Sequence, residues 1–296
     1  VNYILHLLIM IEIYLILAYG LNLVVGFGGL LSLCHAVFYG IGAYASTLLM
    51  IKTGISFLPA MLMGMAITAL FAFLVGIPAL RFRGDHFVLV TLGFQMIVFT
   101  VLYNWVGLTR GPYGIPEIPR PGVFGYEITS LIGYLILVGV ILMVTIIILF
   151  ILYKSPFGLA LKALRDDEMA AEGLGKSPVH TFLYAFIIAG GFASLAGSLY
   201  ATYVTYIDPT SFTLDESIFL LSVLLVGGTG NRLGPLVGVV FMILLPEALR
   251  FLGLPDTVAP NVRQMIYGLT LILLMFLRPQ GIAGEYKINH YGKAEN

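Results

Sequence analysis

The chain has 296 residues with fifteen basic and fifteen acidic side chains, so 10% of it is charged against 59% hydrophobic. A soluble domain carries about 25% charged residues; this chain lacks the polar material to coat a water-facing globule, and lipid must be the solvent for much of its surface. Neutral net charge without a basic run speaks against nucleic acid as a partner, and a single cysteine, Cys34, excludes an internal disulfide and a cysteine-rich metal cluster.

The apolar runs are long and continuous, as helices require and an alternating β-barrel forbids. A bilayer core of about 30 Å takes about 20 helical residues. By that measure the spans in chain order are 3–25, 30–50, 57–80, 87–106, 128–153 and 181–204. The first is longer than a signal-peptide core and has no small-residue cleavage pattern after it, so it is expected to be retained. A short run at 217–226 then ends in the Gly-rich 227–230, followed by 235–252 and 262–277. The expected fold is all-α, a polytopic transmembrane bundle of about eight to nine segments including broken helices. It forms one domain, 1–296, with no soluble module.

Basic residues orient it. With the loop 154–180 in the cytoplasm, ten lysines and arginines fall inside and five (Lys52, Arg110, Arg120, Arg250 and Arg263) outside. That split predicts an external N-terminus and a cytoplasmic C-terminus. The loop 107–127 is then external. Pro112, Pro116, Pro119 and Pro121 shape it, and Arg110, Glu117 and Arg120 give it charges with which to meet a partner.

Polar groups inside a bilayer are functional candidates by default. The deepest are Glu12, His35 and Glu247. Ser32, His35 and Tyr39 stand among Gly28, Gly29, Gly40 and Gly42, where backbones approach closely or break beside a cavity. Two readings are open: a translocation path, or a satisfied interhelical hydrogen bond. Thr91 and Gln95, four apart on one helix face, stand before the same choice. Gly190, Ser194 and Ser198, with Ala189, Ala193, Gly197 and Ala201, form small-residue stripes that fit close helix packing. Gly227–Gly230 lacks the Gly-Lys-Ser/Thr of a phosphate loop, so no ATP is expected on this chain. Five scattered histidines and no HExxH give neither a metal site nor a zinc protease.

Residues 154–180 read KSPFGLALKALRDDEMAAEGLGKSPVH and hold eight charged side chains. Residues 159–164 have helical composition, Asp166 or Asp167 can cap a second short helix over 168–174, and Gly175 followed by Pro178 ends it. Its exposed face is expected to be Ala170, Ala171 and Leu174. Small apolar residues between charges suit a partner's groove; the plainer alternative is a solvated connection.

This segment resembles the EAA-type coupling loop of ATP-binding-cassette importer permeases, carried by Glu168, Ala170, Ala171 and Gly175. ALRDDEMAAEGLGKSP is similar to the form in LivM-type branched-chain amino-acid permeases. The resemblance extends in order through GLNLVVGFGGLLSLCHAVFYGIGAY at 20–44, RFRGDHFVLVTLGF at 81–94 and LTRGPYGIPEIPRP at 108–121. DPTSFTLDESIFLLSVLLVGGTGNRLGP at 208–235 and LRPQGI at 277–282 complete it. Three positions depart from the family pattern. Met96 stands where many members carry glutamate, Cys34 where glycine is common, and Arg110 at the second residue of the external turn, a family glycine.

The resemblance implies a permease subunit for branched-chain, aliphatic amino acids in a prokaryotic inner (plasma) membrane. Urea, short amides or other amino acids are the alternative solutes, and a stand-alone secondary transporter the alternative class. The implied partners are a second related permease subunit, two ATPase subunits that bind the ATP and Mg, and an extracytoplasmic substrate-binding protein. Arg165, Asp166, Glu168, Ala170, Ala171, Leu174 and Gly175 would couple to the ATPases. Ser32, His35, Tyr39, Thr91 and Gln95 would border the path, and Arg110, Glu117 and Arg120 would dock the binding protein.

Overall fold

The computed structural model describes residues 2–123 and 126–250, and beyond them 265, 268, 269, 272, 281 and 282. Most of the expected last span, 262–277, the motif residues 277–280 and the charges Arg263, Arg278, Lys287 and Lys293 lie outside the described residues. Two compact units divide the chain, Val1–Leu221 and Ser222–Asn296, and the boundary falls within one helix.

In the first unit α1 (Asn2–Asn22) runs into a π-helical turn, Leu23–Phe27. Gly29, at φ +69°, then turns the chain out of helix, and α2 begins only at His35, ending at Thr53. The expected span 30–50 therefore starts five residues late. Leu30 and Leu31 are apolar enough for a helix, but a left-handed glycine directly before them cannot continue one.

α3 (Phe57–Ala79) and α4 (Asp85–Asn104) follow, then a single turn, α5 (Val106–Thr109). α6 (Leu131–Lys154) is capped by the Ser130 hydroxyl, which accepts from the Gly133 amide at 3.0 Å. Its 24 residues reach about 36 Å, joining the end that carries 107–127 to the end that carries 154–180. There α7 (Pro156–Asp166) and α8 (Glu168–Gly173) precede the long α9 (Pro178–Val204).

α2 and α9 form the centre, flanked by α3. Their backbones nearly touch: a Cβ on Gly197 would strike the Tyr39 carbonyl, and one on Gly42 the Ser194 backbone. Ser198 Oγ donates to the Ser194 carbonyl at 3.0 Å, and Ser46 Oγ to the Gly42 carbonyl at 2.8 Å. The small-residue stripes thus serve helix packing, as expected.

At the end opposite α7 and α8, short strands tie the loop down. β1 (Ile115–Pro116) pairs antiparallel with β4 (Tyr206–Ile207), and β2 (Gly122–Val123) with β3 (Tyr126–Glu127). α10 (Leu214–Gly227) follows a 3-10 turn at Pro209–Phe212, and α11 (Gly234–Arg250) lies in the second unit. Among the described residues six helical stretches are long and apolar enough to cross a membrane. With α2 and α11 the described segments number eight, within the expected range. In the second unit Gly228 and Gly230 adopt φ +106° and +75°, and the Ile282 amide donates to the Val226 carbonyl at 2.8 Å. That geometry is a tight backbone turn.

Candidate functional site

Three regions hold the residues singled out in the sequence. The first is the α7–α8 appendage. Ser155 caps α7, with Pro156 in its first turn, and Asp167 caps α8 by accepting from the Ala170 amide at 2.9 Å. A double C-terminal clasp closes α8. The Lys176 amide donates to the Ala171 carbonyl at 3.1 Å and the Gly175 amide to that of Glu172 at 2.8 Å, with Gly175 at φ +79°. Helix, cap and stop all stand where the sequence puts them.

The exposed face of α8 differs from expectation. Ala171 is buried at 3% exposure, whereas Met169 and Leu174 are 83% and 81% exposed, with Ala170 also exposed. Ala171 lies on the side that faces the protein. In a two-turn helix the phase depends on what it leans against, which the sequence does not state. Around the apolar tip Asp166, Asp167, Glu172 and Lys176 are exposed.

Arg165 also differs from the rest of the coupling set, because it turns inward. One guanidinium edge bonds Asp166 Oδ1 at 3.1 Å, and Nη1 donates to the Gly26 carbonyl at 2.7 Å. Lys162 lies 5.0 Å from the centre of the Phe27 ring, which stacks on Tyr153 at 3.9 Å. Glu168 pairs with Arg83 of the α3–α4 connection at 2.5 Å, and Arg83 lies over the Phe182 ring.

The second region is a polar interior beside the break between α1 and α2. The Leu33 amide donates to Thr91 Oγ1 at 3.2 Å. The Ala36 amide, free of any helical partner at the start of α2, donates to Ser217 Oγ at 3.0 Å, and that hydroxyl donates to Gln95 Oε1 at 3.3 Å. Gln95 Nε2 donates in turn to the Phe212 carbonyl at 2.9 Å. Thr91 and Gln95 therefore hold the break in place. Ser32 Oγ lies 3.3 Å from Cys34 Sγ.

Three buried atoms here have no hydrogen-bond partner: His35 Nε2, the Tyr39 hydroxyl and Glu216 Oε1. Each such atom costs roughly 1–3 kcal/mol. The Tyr39 ring packs 5.0 Å from Phe212 and 5.5 Å from Tyr200, and the Glu216 carboxylate accepts from the Tyr14 hydroxyl. Sequence reasoning missed Glu216 because the span was measured from Ser217. The signal was the pair Asp215-Glu216 opening an apolar helix, where carboxylates favour the N-terminus. At Met96, where the family pattern has glutamate, the side chain is 45% exposed and points away from the interior that Gln95 enters.

The third region is the loop 107–127. Thr109 Oγ1 donates to the Leu102 and Trp105 carbonyls at 2.7 and 2.8 Å, and the Ile118 amide to the Thr205 carbonyl at 3.1 Å. Arg110, Glu117 and Arg120 are all exposed, and Arg120 Nη1 donates to the Thr129 carbonyl at 2.8 Å. Arg110 has φ +61° and Glu117 +58°. That left-handed geometry explains why glycine suits position 110.

A bundle of long apolar helices, with an irregular polar segment between α1 and α2 and a capped appendage, is the architecture of a multi-pass membrane protein. The family model described as "Branched-chain amino acid transport system / permease component" matches residues 3–275. The LivM permease proteins of the high-affinity branched-chain amino acid transport systems of Salmonella typhimurium LT2 and Escherichia coli K12 are 36% and 35% identical. Those alignments cover 92% and 91% of this chain and 68% and 67% of the relatives. A probable LivM of Methanocaldococcus jannaschii is 23% identical over 88% of this chain and 82% of its own. No solved structure matches. The chain belongs to the family of permease components of branched-chain amino-acid transport systems.

Proposed function

We propose that this chain is the membrane-crossing subunit of an ATP-driven importer for branched-chain, aliphatic amino acids, and that it works by alternating access. One observation carries the mechanism: α8 is capped at both ends and holds Met169 and Leu174 more than four-fifths exposed among charges. Two large apolar side chains presented together among charges suit insertion into a partner's groove. The occupant is an ATPase subunit, one of two, which binds ATP and Mg; this chain carries none. A second related permease completes the membrane core, and an extracytoplasmic binding protein delivers the solute at the loop 107–127 through Arg110, Glu117 and Arg120.

The N-terminus and the loop 107–127 then face outward, and α7 and α8 face the cytoplasm, as the basic residues Arg81, Arg83, Lys154, Lys162 and Lys176 favour. His35, Tyr39 and Glu216 border the solute path, with Ser32 beside them. The one unpaired oxygen of Glu216 and the unpaired Tyr39 hydroxyl suit an ammonium group, and the surrounding Phe212 and Tyr200 rings suit an aliphatic side chain. The similarity to high-affinity branched-chain amino acid permeases supports branched-chain amino acids as the solutes.

Uptake of labelled leucine into vesicles bearing the assembled complex tests this reading. Isoleucine and valine should compete and urea should not. Competition by urea alone would overturn the solute assignment, and uptake without ATP would overturn the class.

A further inference from the structure

We infer that Arg165 is a strut that passes motion of the coupling helices to the break between α1 and α2. The inference rests on the proposed coupling role of α8 and goes beyond it, by naming the contact through which that motion reaches the polar interior.

The geometry begins at the orphaned end of a helix. The last carbonyls of a helix have no partner within it, and in the π-helical turn Leu23–Phe27 the Gly26 carbonyl is taken by Arg165 Nη1 at 2.7 Å. Basic side chains at that position also meet the negative end of the helix dipole. The Arg165 stem lies against Gly29, where a Cβ would come within 2.6 Å of Arg165 Cγ. One turn earlier on α7, Lys162 holds the Phe27 ring. α7 therefore grips the turn on both sides of the point where helix ends. The other guanidinium edge is fixed by Asp166, so one planar group spans both elements, which a lysine ammonium cannot do.

Beyond Gly29 only five residues, 30–34, separate this grip from the interior. They have no helical ladder of their own, and their far end is held by Leu33 to Thr91 and by Ala36 to Ser217. A pull on Gly26 is therefore delivered to His35 and to the pair Ser217–Gln95. π-turns are frequent at functional sites, and irregular backbone at membrane depth occurs only where protein buries it or where it lines a cavity.

Cys34 lies within this link, buried at 1% exposure, and as the sole cysteine it serves as a native reporter. The test uses the assembled complex in vesicles, with wild-type, Arg165→Lys and Arg165→Gln chains. Four readouts are taken: ATPase co-purification, ATP hydrolysis, leucine uptake, and the rate of Cys34 alkylation by a maleimide with and without vanadate-trapped nucleotide. The expected result is unchanged ATPase co-purification, with uptake per hydrolysed ATP reduced about tenfold or more in both variants. The nucleotide-dependent change in Cys34 alkylation should be present in wild type and lost in both variants. Uptake within about twofold of wild type per assembled complex, or a Cys34 response that survives in Arg165→Gln, would overturn the strut. A wild-type complex that recruits no ATPase would instead remove the coupling reading on which the strut rests.

Discussion

The two ends of the first unit are built differently. At the end that carries 107–127, backbone bonds backbone: β1 pairs with β4, Ile118 with Thr205, and Gly114 leaves no room for a side chain beside Ile207. At the other end α7 and α8 are held to the bundle largely by side chains, through Arg165 on Gly26, Lys162 on Phe27 and Glu168 on Arg83. Backbone pairing fixes a shape. A few side-chain grips, among them the partly exposed Arg83–Glu168 pair, are easier to loosen than a backbone ladder, and they suit an element that must move. Mutations at the loop end should therefore change stability first, and those at the coupling end should change transport first.

The sharpest break at the loop end is Gly114→Val. It forces a branched side chain into a left-handed backbone, φ +65°, and against the Ile207 carbonyl. Loss of roughly 3 kcal/mol is expected, read as a lower melting temperature of the purified chain; an unchanged melting curve would show that this end is not held by shape. The matching change at the coupling end is Glu168→Gln, which removes the ion pair with Arg83. Stability should shift by less than about 1 kcal/mol, whereas leucine uptake should fall severalfold. Equal losses of both would erase the distinction between the ends.

Smaller effects sharpen it further. Arg110→Gly should raise stability by about 1 kcal/mol, because the left-handed strain disappears. An Arg110→Glu/Arg120→Glu pair should slow capture of the solute-loaded binding protein by about tenfold or less, with maximal uptake unchanged; surface-plasmon association rates would show this, and unchanged rates would remove these residues from docking.

Much of this was legible in the sequence. Span length and charge scarcity are physical requirements of a bilayer, so the spans among the described residues stand within about five residues of expectation. The Asp167 cap and the Gly175 stop are local chemistry, readable from residue type. The break at 30–34 was harder, since Leu30 and Leu31 look helical and only Gly28 and Gly29 hint otherwise. The face of α8, the inward turn of Arg165 and the enclosure of Glu216 depend on neighbours distant in the chain. Composition is silent on these, and it also misleads about burial. In the most apolar of the six spanning stretches, α6, 22% of the residues of its most apolar stretch are buried, whereas in the less apolar α9 83% are. Lipid rewards apolar surface, while the centre rewards glycine, alanine and serine that let backbones close up.

The central claim is that the exposed tip of α8 receives the ATPase, and a Met169→Asp/Leu174→Asp chain tests it most directly. The two side chains touch little of this protein, so the variant should insert and melt as wild type does. ATPase co-purification should be lost and ATP-driven leucine uptake should fall about a hundredfold, as expected for removal of paired apolar anchors. Normal co-purification together with normal uptake would contradict the account.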